Sequence, residues 1–216
     1  EDIMGVTSQT LDYLMILYSQ IKFNSICELG DQQFLSCHPF IEGSHVRFFY
    51  EKRGIEYTSV DINGKGGSIY LDLDKPKFLD KQFDVVTNIG TLEHIYNFYM
   101  GLKHMHMLCN DRGFMVHISP VMDNWDEHGY NCVSTQFFKD LANKCKYALI
   151  DNRESPTLIG GQDSNQAYCI LRKTSDSNFL SKEEFLTLKG YEVVAWNKEQ
   201  YKHLKKYAPT TRRAYL

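Results

Sequence analysis

Five short apolar runs, at residues 25–29, 56–60, 68–71, 83–87 and 113–118, constrain this chain more than any other feature, because none sustains an alternation of apolar and polar residues. A strand with one wet face alternates; a run that is apolar throughout is buried on both faces, as in a parallel sheet between two helical layers. The stretches around 40–53, 95–109 and 134–145 suit crossover helices. Residues 8–22 place Leu11, Leu14, Met15 and Tyr18 at helical spacing behind Ser8 and Thr10 as cap candidates. Repeated β-α-β units with right-handed crossovers wind into a doubly wound α/β sheet. The last two runs, 147–151 and 166–172, are joined by a segment with Pro156, Gly160 and Gly161 and no helical pattern. They are expected to form an antiparallel hairpin at one edge of the sheet. The architecture expected is therefore a mostly parallel seven-stranded sheet with a C-terminal antiparallel hairpin strand and helices on both faces.

The 216 residues, 43% of them hydrophobic, suffice for one domain with a small appendage. The reading divides the chain into a domain at 1–173, with an N-terminal helix in 1–23 and a core at 24–172, and a helical extension at 174–216. Within the extension, 174–180 is polar enough for a linker. Ser181 and Glu184 have capping-box spacing. The basic, aromatic tail at 201–216 is expected to be partly disordered. A net charge of −3, with Lys and Arg spread along the chain, gives no electrostatic case for gripping a phosphate backbone, so no nucleic-acid partner is expected. The six cysteines show no zinc-type spacing and read as reduced thiols; no metal site is expected. There is no 18-residue apolar segment and no basic-then-apolar start at Glu1-Asp2-Ile3-Met4, which reads as a cytoplasmic chain without a membrane partner.

Function is written at the carboxyl ends of the expected strands. The run Ser25-Ile26-Cys27-Glu28-Leu29 leads into Gly30-Asp31-Gln32, and thirty-one positions after Gly30 the run ending in Val60 leads into Asp61-Ile62. A glycine just past a strand lets backbone approach a ligand, and an acid at the next strand's tip can accept hydrogen bonds from a ribose diol. Asp72-Leu73 follows a third run and Asn88-Ile89-Gly90 a fourth.

These landmarks together resemble the class I S-adenosylmethionine-dependent methyltransferases. Glu28-Leu29-Gly30 is similar to the family's first motif, and Asp61 to the acid that holds the ribose hydroxyls. Ile69 to Leu73 resembles the third strand, whose terminal acid reads the adenine amine, and Phe83 to Val86 the fourth. Gly90-Thr91-Leu92-Glu93-His94-Ile95 resembles the loop and helix start that follow, and His128-Gly129-Tyr130 with Ser134 to Phe138 looks like a segment of small-molecule and sugar-modifying members. The resemblance covers about 24–172. It implies S-adenosylmethionine as cofactor, held by Glu28, Gly30, Asp31, Gln32, Asp61, Ile62, Asp72, Leu73, Asn88, Gly90 and Glu93. The acceptor would be a small molecule or sugar-type intermediate, methylated on O or N, and a homodimer is compatible with it. His128 and His94 are the expected general bases, since imidazole titrates near neutrality. His117, inside the fifth run, reads as a core histidine.

Two departures stand out. Gln32 occupies the place of the second glycine of an E/D-x-G-x-G pattern, and the interval from Gly30 to Asp61 exceeds the usual spacing of about 20 residues, with 35–44 as an enlarged loop. They motivate the rival reading of a catalytically degenerate fold that binds a protein partner. A nicotinamide oxidoreductase is weaker, because no GxGxxG follows the first run.

Overall fold

The computed structural model describes residues 5–34, 45–121, 129–159, 162–195, 198–204 and 211–213. In chain order these form β1 (Gly5–Val6), α1 (Ser8–Ile21), β2 (Ser25–Leu29), β3 (Gln33–Phe34), α2 (Arg47–Glu51), β4 (Glu56–Asp61), β5 (Ile69–Tyr70) and β6 (Phe83–Ile89). After a 3₁₀ turn at Leu92–His94 come α3 (Phe98–Leu108), β7 (Cys109–Pro120), β8 (Asn131–Val133), α4 (Thr135–Cys145), β9 (Ala148–Ile159) and β10 (Gln162–Arg172). The chain continues through α5 (Lys182–Phe185), β11 (Tyr191–Ala195), α6 (Lys198–Leu204) and β12 (Thr211–Arg213).

The central sheet has seven strands in the order β5-β4-β2-β6-β7-β10-β9. Pairings from β5 through β7 are parallel, and β10 runs antiparallel to both β7 and β9. The expected sheet and hairpin are both present. The unalternated runs explain themselves in the packing. Along β2, Ile26 faces one core with Tyr13, Leu14 and Leu17 of α1 and Tyr50 of α2, while Cys27 and Leu29 face another with Leu102 and Met105 of α3 and Phe137 of α4. Both faces of each central strand are therefore dry.

The structure corrects the reading in three places. The hairpin is longer than expected, and Pro156 sits inside β9 opposite Asn165 rather than in a loop. β9 is the sheet's edge strand, where a missing N–H costs little. Helix α1 is capped by Thr7, whose side chain accepts from the Thr10 N–H at 3.2 Å, rather than by Ser8 or Thr10. The stretch after Lys173, read as a helical extension, also carries strand and joins the core: Phe185 and Tyr191 are buried with Phe98 and Phe137, with Phe98 and Tyr191 stacked at 5.0 Å. Its strand β11 pairs with β8 and β12 in a separate three-stranded sheet, so the tail expected to be partly disordered carries a strand at Thr211–Arg213. The capping box at Ser181 and Glu184 is formed as the spacing predicts. Among the described residues no helix is long and apolar enough to cross a membrane.

Candidate functional site

The order of the central sheet reverses between β2 and β6: from β2 the chain moves outward to β4 and β5, then returns to β6 on the other side. Open α/β sheets bind ligands outside the carboxyl ends of strands at such a switch point. A pocket of about 270 Å³ lies there, and six of the sequence-predicted residues line it: Gly30, Asp61, Ile62, Asp72, Leu73 and His94. Six further residues, outside the expected site set, line it as well. Val60, Leu71 and Asp74 come from the same strand ends, and Thr91, Ile95 and Tyr96 from the turn after β6.

Local geometry explains how each acid arrives. Gly30 turns the chain at φ 84°, a conformation that disfavours any side chain, and its N–H donates to the Val60 carbonyl at 2.8 Å. Asp61, the last residue of β4, accepts the Asp31 N–H at 3.0 Å on one oxygen and the Asn63 N–H at 2.9 Å on the other. Asp72 accepts the Asp74 N–H at 3.0 Å, and Asp74 accepts the Asn97 N–H at 2.6 Å at the head of α3. Backbone donors thus aim all three carboxylates.

The other sequence-predicted residues stand behind this pocket. Glu28 is fully buried; the Tyr57 hydroxyl donates to it at 2.9 Å, and burial pushes its carboxyl up to about 8 despite that bond. Asn88, also fully buried, accepts the Leu92 N–H at 2.9 Å and so shapes the turn that carries Thr91 and His94. Gly90, at φ 65°, starts that turn, and its N–H donates to the Ile118 carbonyl. Glu93 is buried beside Gly90 and Gly129 with neither carboxylate oxygen bonded, and burial raises it to about 8. Asp31 binds His45 and the Ser68 hydroxyl, the latter at 3.0 Å, and its carboxylate lies where a side chain on Gly66 would be. The 63–68 loop is thereby stitched to the turn after β2. Gln32 is fully buried between strand ends. His128, the first-named base, lies outside the described residues, as do most of 121–133 and the 35–44 loop. His117 is a core histidine, packed on Phe138 at 5.0 Å and pushed by burial down to about 3.

Asn131 supports the wall and was missed. Its side-chain amide donates to the carbonyls of Leu92 at 2.9 Å and Ile95 at 2.6 Å and accepts the Tyr191 hydroxyl at 2.9 Å. Nothing in a lone Asn before an apolar pair announces this, because all its partners are distant in sequence. Asn131→Ala leaves these buried groups unpaired and is expected to lower stability by about 2 kcal/mol, read from urea denaturation.

No protein-family model matches the sequence, and neither does any curated protein. Solved structures do match by shape. A 1,6-didemethyltoxoflavin-N1-methyltransferase from Burkholderia thailandensis, solved with 1,6-didemethyltoxoflavin and S-adenosylhomocysteine, superposes over 74% of this chain and 76% of its own, at 14% identity and TM-score 0.55. A S-adenosylmethionine-dependent methyltransferase from Methanosarcina mazei superposes over 74% and 97%, at 10% identity and TM-score 0.52. The [4+2]-cyclase SpnF superposes over 77% and 82%, at 11% identity and TM-score 0.54. With this strand order and these structural likenesses, the chain has the fold of the class I S-adenosylmethionine-dependent methyltransferases.

Proposed function

We propose that the pocket at the β2–β6 switch point binds S-adenosylmethionine and that the protein transfers its methyl group to an O or N atom of a small-molecule or sugar-type acceptor. One observation carries this reading: among the described residues the ionisable lining of the pocket is Asp61, Asp72 and Asp74 with His94 and Tyr96, and it contains no Lys or Arg. Such a lining suits a sulfonium cation, a ribose diol and a purine amine, and it opposes a pyrophosphate. Asp61 would hold the ribose hydroxyls and Asp72 the adenine amine, with Val60, Leu71 and Leu73 against the purine faces. The cofactor, when bound, supplies an electrophilic methyl group. The chain's own residues align it and exclude water, which for an in-line displacement supplies much of the acceleration. His94, in the pocket wall, would take a proton from a hydroxyl or aminium acceptor. The fold does not by itself specify methyl transfer, since SpnF carries it as a [4+2]-cyclase.

Isothermal titration with S-adenosylmethionine and S-adenosylhomocysteine tests the assignment, with 1:1 binding expected for both. At a ligand concentration near 100 times Kd, binding adds about 2.7 kcal/mol and raises Tm by roughly 5 to 10 °C for a chain of this size. No heat and no thermal shift with either ligand would remove the reading.

A further inference from the structure

The position that departs most from the glycine pattern is buried and bonded. Gln32 is fully buried, and its amide nitrogen lies 3.2 Å from the Leu29 carbonyl, 3.0 Å from the Ile89 carbonyl and 3.3 Å from the Thr91 hydroxyl. Leu29 and Ile89 are the last residues of β2 and β6, the two strands that flank the switch point. The Thr91 hydroxyl donates its own hydrogen to the Leu29 carbonyl at 2.6 Å, so towards Gln32 it can only accept. Three acceptors therefore converge on one nitrogen. The amide cannot be turned round, since its oxygen would then face two carbonyl oxygens.

A primary amide carries two hydrogens and an ammonium group three. Three converging acceptors at the ends of two parallel strands make the acceptor set of an ammonium cradle, and here the chain fills it with its own side chain. The amide oxygen, buried on the far side, has no partner, so the nitrogen end alone holds the group in place. Thr91 lines the pocket, and so does Gly30, next to Leu29; the cradle thus lies directly behind the pocket at that end.

We propose that Gln32 occupies the subsite where the α-ammonium of the cofactor's amino-acid tail would otherwise be held, and that the pocket is therefore selective for the adenosine-5′-thioether half of its ligand. This rests on the adenosine-binding role proposed above for Asp61 and Asp72. S-adenosylmethionine still enters by its nucleoside half, with its ammonium left to water. Gln32 is then the residue that sets how much of the tail is read.

Isothermal titration of the wild-type protein with S-adenosylhomocysteine and with 5′-methylthioadenosine, which lacks the amino-acid tail, decides the matter. The proposal expects the two dissociation constants to agree within about threefold, because hydrogen bonds to a charged group that would separate them by at least about tenfold are absent. S-adenosylhomocysteine binding about tenfold or more tighter overturns it. Gln32→Gly and Gln32→Ala empty the cradle; in whichever variant keeps the wild-type Tm, S-adenosylhomocysteine is expected to tighten at least about tenfold while 5′-methylthioadenosine stays within about threefold. An unchanged ratio in that variant also overturns the proposal, and the wild-type comparison stands alone if neither variant folds. Binding of neither ligand to the wild type is a different failure: it removes the adenosine pocket, and the proposal with it.

Discussion

Between pH 6.5 and pH 8 the folded protein is expected to lose about 3 kcal/mol of stability, because two buried carboxyls stay largely protonated in the native state while the same groups are ionised in the unfolded chain. Glu28 and Glu93 are both pushed by burial up to about 8. In the unfolded chain they ionise near about 4.3. Between these values the native state binds more protons than the unfolded state, so stability falls as pH rises, by about 1.4 kcal/mol per pH unit for each group. Buried histidines oppose this in the acid part of the window. His106 is held down to about 4 and His117 to about 3, so below about 6.5 the unfolded state binds the extra imidazole protons and stability rises with pH. The two effects nearly cancel from about pH 4.5 to 6.5, and the carboxyls act alone above that. Urea denaturation at pH 6.5, 7.25 and 8 measures the decline. Glu93→Gln, which removes one ionisation and keeps the shape, should halve the slope; a slope equal to wild type would show that Glu93 is not the buried acid.

Asp61→Ala is expected to weaken S-adenosylhomocysteine binding at least about a hundredfold. Two hydrogen bonds from a ribose diol to a carboxylate are each worth about 1.5 to 3 kcal/mol, and the same substitution releases the turn at Gly30 by freeing the Asp31 and Asn63 N–H groups. Asp61→Asn retains an acceptor oxygen and should fall between alanine and wild type. Titration calorimetry on both variants separates the cases. Affinity within about threefold of wild type for Asp61→Ala would mean that the ligand is held elsewhere.

The strand ends were readable because a strand's end fixes which edge of the sheet its terminal residue reaches. Gly30, Asp61, Ile62, Asp72 and Leu73 follow or end apolar runs, His94 stands in the turn after β6, and all six line one pocket. Tyr96 was not readable, since the direction of the turn after β6 is set by the Asn88 side chain within it and by Asn131, whose amide reaches Leu92 from 39 positions away. The three-stranded sheet escaped notice for a similar reason. β8 is three residues long and pairs with β11 across a large sequence separation, so neither local period nor turn chemistry marks it.

By itself the sequence determined the layered α/β architecture, because strands that are apolar on both faces have no stable place except between two helical layers. It also determined where acids meet strand ends, and it marked Gln32 as an anomaly. The tertiary structure alone decided what that anomaly does. The acceptors around its amide come from Leu29, Ile89 and Thr91, the latter two 57 and 59 positions away, and only the pairing of β2 with β6 brings them together on a single nitrogen.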